Sequence, residues 1–170
     1  MKRLTALAAA AVFVLGTTSA FAQAKPNFSG KWAVDAAAAP APAAAPAGGG
    51  GGRGGGRGGG LGQELTIVQT ATTVKIDYVG GGRNPGPVSL TYKLDGTDST
   101  NTVGAGEQVA KATWDGAKLV VTTAINMGGA AVEQKRTFSM EGADLVVETQ
   151  QPGRDGGPGT PTRVVYKKAM

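Results

Sequence analysis

From residue 64 onward apolar and polar side chains alternate with a period of two, the spacing that buries one face of a strand and wets the other. Runs at 64–70, 74–79, 88–94, 109–114, 118–125, 131–140, 144–150 and 162–168 read as strands. A weaker one lies near 100–103, and a short first strand surrounds Trp32. The links are brief and carry turn residues, among them Asp95-Gly96, Asp115-Gly116, Asn126-Met127-Gly128-Gly129 and Glu141-Gly142. Asp115-Gly116 suits a type I′ hairpin, in which both central residues need φ > 0. The stretch 108–151 is the clearest part, a meander of three or four strands. Outside residues 1–22 no segment shows a helical period.

Nine or ten short strands in succession predict an all-β fold, an antiparallel up-and-down meander closing into a small barrel of about 8–10 strands. Composition divides the chain around that domain. Gly (29) and Pro (9) make about a fifth of the 170 residues and are concentrated in a few places. Residues 36–47 are Ala and Pro, and 48–60 are Gly broken only by Arg53 and Arg57. Such a segment has a high ordering cost, so 36–62 reads as a disordered insertion between a first strand at 23–35 and the rest of the barrel at 63–170.

The first 22 residues stand apart. Met1-Lys2-Arg3 is a positive n-region, 4–15 an Ala-rich apolar core and Ala20-Phe21-Ala22 a small-x-small cleavage site, so a signal peptide is expected to leave a mature chain starting at Gln23. The apolar run falls short of the ~20 residues that span a bilayer, and no membrane span is expected after cleavage. Cys is absent, so neither a disulfide nor a lipid-bearing cysteine supports the chain. These features predict an exported protein, periplasmic or secreted.

Removing Lys2 and Arg3 takes Lys+Arg from 17 to 15 against 12 Asp+Glu, a net charge of +3. So mild a charge argues little for polyanionic partners. Arg53 and Arg57 in a glycine run have the look of an RGG segment, but two arginines in an exported chain are too few, and no nucleic acid is expected. Weak contact of Arg53 and Arg57 with envelope polyanions is the expectation kept for them.

Catalysis finds little support. His and Cys are both absent, which removes the usual general base, the thiol nucleophile and the commonest zinc ligands. The carboxylates are scattered over turns and solvent faces, with no acid–base pair or calcium loop. Gly80-Gly81-Gly82-Arg83 lacks the helix and the Lys-Ser/Thr of a phosphate loop. The chain is therefore read as no enzyme, with no metal and no cofactor.

Alternation picks out what could meet a ligand. On the strand at 131–140, Val132, Gln134, Arg136, Phe138 and Met140 share the apolar face, which places Gln134 and Arg136 among inward-pointing side chains. A buried charge is costly without compensation, and a wet or ligand-filled interior supplies it. Tyr78, Tyr92 and Trp114 continue apolar faces of their own strands. Gln134, Arg136, Tyr78, Tyr92 and Trp114 form the candidate ligand-binding set.

The two ends of the domain add a family likeness. Phe28-Ser29-Gly30-Lys31-Trp32 resembles the Gly-x-Trp signature on the first strand of the calycins, the lipocalins and fatty-acid-binding proteins. The run Thr162 to Lys168, with Arg163 and Tyr166, looks like the strand that closes a fatty-acid-binding protein. The resemblance implies a barrel sealed where these ends meet, with Gly30, Trp32, Arg163 and Tyr166 as closing residues and Arg163 lying across the Trp32 ring. It departs from the family in one respect: Arg163 and Tyr166 are three apart and fall on opposite faces, which undoes a shared carboxylate clamp. The function it implies is non-enzymatic binding of a small apolar or amphiphilic molecule. The rival expectation is a structural or interaction module of the cell envelope with a filled core and no small-molecule ligand.

Overall fold

The structure is a computed structural model, and it describes residues 24–38, 61–81, 85–127, 130–153 and 157–169. The expected signal peptide at 1–22 and the Ala/Pro/Gly run at 39–60, with Arg53 and Arg57, lie outside the described residues.

Ten antiparallel strands form one sheet: β1 Gly30–Val34, β2 Glu64–Gln69, β3 Thr73–Gly80, β4 Gly86–Lys93, β5 Asp98–Val103, β6 Gly106–Asp115, β7 Lys118–Met127, β8 Ala130–Glu141, β9 Asp144–Pro152 and β10 Pro158–Lys168. Their order is β4-β3-β2-β1-β10-β9-β8-β7-β6-β5. Every chain neighbour from β5 to β10 is also a spatial neighbour, and the circle is joined by the first and last strands. Trp32 pairs with Lys168 and Val34 with Tyr166, so the two distant termini meet as the resemblance implied. The ring is nearly closed. Only β4 and β5 share no backbone ladder.

Several links are tighter than expected. Val103, Asp115 and Glu141 pair directly with Gly106, Lys118 and Asp144, so the loops between them are Gly104-Ala105, Gly116-Ala117 and Gly142-Ala143. The three glycines have φ of 62°, 59° and 64°, while among the described residues no non-glycine has positive φ. One positive φ at the first central position is the type II′ pattern, which replaces the type I′ turn expected at Asp115-Gly116, because Asp115 stays in the strand. The presumed loops are also shorter. β4 begins at Gly86 and β10 at Pro158, with an irregular register between Pro158 and Pro161, where proline cannot donate to a ladder.

At the edge of the 36–62 segment, residues 61 and 62 pack with the sheet. Leu61 is fully buried, and the Gly62 carbonyl accepts a hydrogen bond from the Tyr166 hydroxyl at 3.1 Å, so both belong to the barrel. The Val34 amide bonds the Gln63 carbonyl at 2.8 Å, which brings the segment's two ends side by side.

In a meander, alternate links fall at opposite ends. The links after β2, β4, β6 and β8 lie at one end, called the plugged end here, and those after β1, β3, β5, β7 and β9 at the other, the far end. A short arm, residues 24–29, fills the plugged end. Gln69 clamps it: its side chain accepts from the Phe28 amide at 3.0 Å and donates to the Pro26 carbonyl at 3.1 Å. Phe28 is thereby driven inside, stacked on Trp114 and tilted against Phe138. The core runs on through Trp32, Leu65, Ile67, Ile76, Leu90, Leu119, Val121 and Leu145.

Candidate functional site

Among the described residues, a polar centre interrupts the apolar interior around Arg136. Arg136 on β8 stands opposite Val121 on one side and Thr149 on the other, and all three share the inward face. It is only 8% exposed, and its Nε donates to Thr149 Oγ1 at 3.4 Å. The Tyr92 hydroxyl on β4 is hydrogen-bonded to the guanidinium, which also acts electrostatically on the phenols of Tyr78 and Tyr166. Three phenols from β3, β4 and β10 therefore converge on one buried cation from β8. Thr123, buried on β7, stands opposite Gln134 one step nearer the far end.

Burial raises the pKa of all three phenols. Removal from water pushes Tyr166 up to about 12, with the Arg136 charge working against the shift. Tyr78 and Tyr92 are raised for the same reason, again opposed by Arg136. At neutral pH the phenols are thus neutral hydrogen-bond groups around a positive charge. Among the described residues the buried polar set is Ser99, Asn101, Thr123, Arg136 and Thr149, with no carboxylate in it.

The sequence-derived candidates separate into two places. Arg136, Tyr92 and Tyr78 come together, and Tyr166, assigned above to barrel closure, joins them. Gln134 is half-buried on the same inward face, two residues towards the far end. Trp114 does not join this group. It lies at the plugged end against Phe28, with the Lys25 ammonium 5.5 Å from its ring centroid.

Among the closing residues, Arg163 needs correction. Its guanidinium donates to Glu141 Oε2 at 2.6 Å on the exposed outer face, so it cannot lie across Trp32. Alternation on β10 sends Val164 and Tyr166 inward and Arg163 outward. Trp32 is held instead by its indole N–H, which donates to the Phe28 carbonyl at 2.9 Å. Gly30 keeps its part: it has φ of 147°, and an added Cβ would stand 3.6 Å from the Trp32 Nε1.

Phe28, Thr149 and Thr123 are absent from the sequence-derived set. Phe28 precedes the first strand and belongs to no alternating run. Thr149 and Thr123 do alternate with inward valines and leucines, and that phase is the signal that would find them.

An open groove of about 430 Å³ also runs along the outer face and rim of β2–β4, bordered by Glu64, Thr66, Lys75, Asp77, Val79 and Pro87. Lys75 and Asp77, two apart on β3, pair beside it at 3.1 Å, and the Ser89 hydroxyl, followed by Lys75, holds the pKa of Asp77 below its ordinary value. It is solvated and its charges are already matched. The interior centre, with a desolvated cation, is the stronger binding chemistry. Among the described residues no cluster of side chains could hold a metal, and no helix is long and apolar enough to cross a membrane.

No family model and no curated protein matches this chain. Solved structures do. The fluorescent protein UnaG superposes with a TM-score of 0.52 at 17% identity, over 84% of this chain and 97% of that one. A point mutant of UnaG gives 0.54 at the same identity, covering 84% and 96%. The zebrafish ileal bile acid-binding protein complexed with cholic acid gives 0.46 at 20% identity, over 62% of this chain and 72% of that one. At these identities the likeness speaks for the shape of the backbone. That shape is a nearly closed antiparallel barrel of the calycin type.

Proposed function

We propose that this chain is a non-enzymatic binding barrel that takes a small amphiphile into its interior, with the ligand's acidic or hydrogen-bond-accepting head at Arg136 and Tyr92. One observation carries this reading: a buried guanidinium, ringed by neutral phenols and a threonine, within an otherwise apolar core. In such surroundings an anion gains more from the charge than it would in water, and the phenols add directional hydrogen bonds. Leu90, Ile76 and Val121 offer the adjoining apolar wall. The Gly-x-Trp and last-strand likeness supports the same conclusion.

Delipidated protein, heated with fatty acids, bile acids or other anionic amphiphiles, should gain thermal stability in wild type and lose that gain in Arg136→Met. Absence of any shift across the panel would overturn the reading.

The leader at 1–22 supports export to the periplasm or medium. Sequencing the N-terminus of protein recovered outside the cytoplasm should start at Gln23. A second reading, an envelope interaction module, draws on the outer groove and the aromatic plug. Replacing 39–60 by a short linker separates the two, since Val34 and Gln63 are already adjacent. Loss of partner recovery with amphiphile binding intact favours the interaction module.

A further inference from the structure

Across the one break in the ring, side chains do what backbone does elsewhere. The Thr91 amide on β4 donates to Asn101 Oδ1 at 2.6 Å, and Asn101 Nδ2 donates back to the Thr91 carbonyl at 3.1 Å. One side-chain amide thus imitates a peptide group of the missing ladder. One step nearer the plugged end, the Lys93 amide donates to Ser99 Oγ at 2.9 Å. Asn101 and Ser99 are 7% and 5% exposed. Among the described residues no hydrogen bond joins β4 to β5 beyond Asn101, towards the far end.

The neighbouring pairs are built differently. β3 and β4 keep eight register pairs, and β5 and β6 keep six, so each edge strand is firmly laddered on its far side. Opening the ring at β4–β5 breaks three hydrogen bonds made by two side chains and no backbone ladder. Local opening concentrates where such links are few. The position matters as well. Thr91, which Asn101 holds, immediately precedes Tyr92, which is bonded to Arg136. Moving β4 away from β5 displaces a phenol of the polar centre and exposes that centre to solvent.

We infer that the β4–β5 seam is a side door to the interior, with Asn101 as its latch and Ser99 as a second link behind it. This rests on the interior being the binding site, and two readouts keep the propositions apart. The first needs no ligand: amide hydrogen exchange at Thr91 and Lys93. The second uses 1-anilinonaphthalene-8-sulfonate, an anionic amphiphile, in stopped-flow mixing.

In Asn101→Ala, exchange at Thr91 should rise about tenfold or more relative to β7–β8 amides, the factor expected when both Asn101 hydrogen bonds to Thr91 are lost. Association and dissociation of the probe should both accelerate about tenfold, with affinity held within about twofold, as lowering a barrier requires. Ser99→Ala, the milder variant, should raise exchange at Lys93 more than at Thr91. It serves in place of Asn101→Ala should that variant fail to fold. Exchange that rises no more at Thr91 than across the sheet overturns the latch. Faster exchange with unchanged probe rates overturns the door. A wild type that takes up no probe defeats the binding reading and the door with it, while exchange alone still decides the latch.

Discussion

Phe28 and Trp114 lie face to face, their ring centroids 5.9 Å apart and their planes 11° from parallel. One comes from the arm before the first strand and the other from the end of β6, so the stack ties the beginning of the domain to its middle. The arm has no ladder of its own. Its hold is this stack, the Gln69 clamp and the Trp32 indole bond to a backbone carbonyl that survives truncation of the Phe28 side chain. Phe28→Ala should therefore lower unfolding stability by about 3–5 kcal/mol without abolishing the sheet. Urea titration followed by circular dichroism would measure the loss, and tryptophan emission should shift to longer wavelength as Trp114 becomes wetter.

Arg136→Met should weaken an anionic amphiphile by tenfold or more while leaving the fold intact. Arg136→Lys should fall between the two, because an ammonium keeps the charge but not the fork that reaches Thr149 and Tyr92 together. Titration calorimetry on the delipidated variants, alongside their melting curves, distinguishes lost charge from lost structure. Equal affinity in wild type and Arg136→Met would remove Arg136 from the site.

Tyr166 makes stability fall in alkali. Its folded value is raised to about 12 from 10, so the stabilisation is complete below pH 10. Above that the unfolded phenol ionises first, the folded state holds the extra proton, and stability declines until about pH 12. Tyr166→Phe should flatten this decline, as read from unfolding midpoints at pH 9 to 12. Asp35 works with the opposite sign. The hydrogen bond from Lys167, with help from the Ala37 amide, lowers its value. That contribution exists above the unfolded carboxylate's range and fades as pH falls through the lower folded value. Lys167 is largely in solvent, though the Asp35 side chain is only 14% exposed, and Asp35→Asn, which keeps an oxygen for the Ala37 amide, should change little.

The Gly-Ala hairpins yield a paired test. Gly116→Ala places a side chain at φ of 59°, where an L-residue is strained by about 1–2 kcal/mol. Ala117→Gly, its neighbour in the same loop, has no such strain to create and adds only chain entropy, about 1 kcal/mol or less. The first substitution should be the more destabilising in urea titrations.

Much of the barrel could be read from spacing alone. Alternation from Val132 to Met140 is strong enough to phase β8, and with it the inward direction of Arg136, because each apolar neighbour votes for the same face. Tyr78 and Tyr92 follow by the same reasoning. What spacing cannot say is which inward residues share a level of the barrel. Trp114 and Arg136 both point inward, yet one reaches the plug and the other the polar centre. Arg163 went astray because a family likeness was allowed to outrank the alternation that sends it outward. β5 was faint because Asp98-Ser99-Thr100-Asn101-Thr102 has no apolar face, its inward positions being spent on hydrogen bonds to β4. Leu61 and Gly62 were lost in the glycine run whose composition they share.

The pairing of β1 with β10 sets the order in which this polypeptide can mature. Strands β5 to β10 can zip up by neighbouring hairpins as they emerge, whereas β1 has to wait, with an indole and a phenyl ring in water, until Tyr166 is delivered. Contacts of such long sequence separation slow a folding reaction. A nascent chain released or stalled before its final dozen or so residues would keep two raw edges, at β1 and at β9, each open to pairing with another copy.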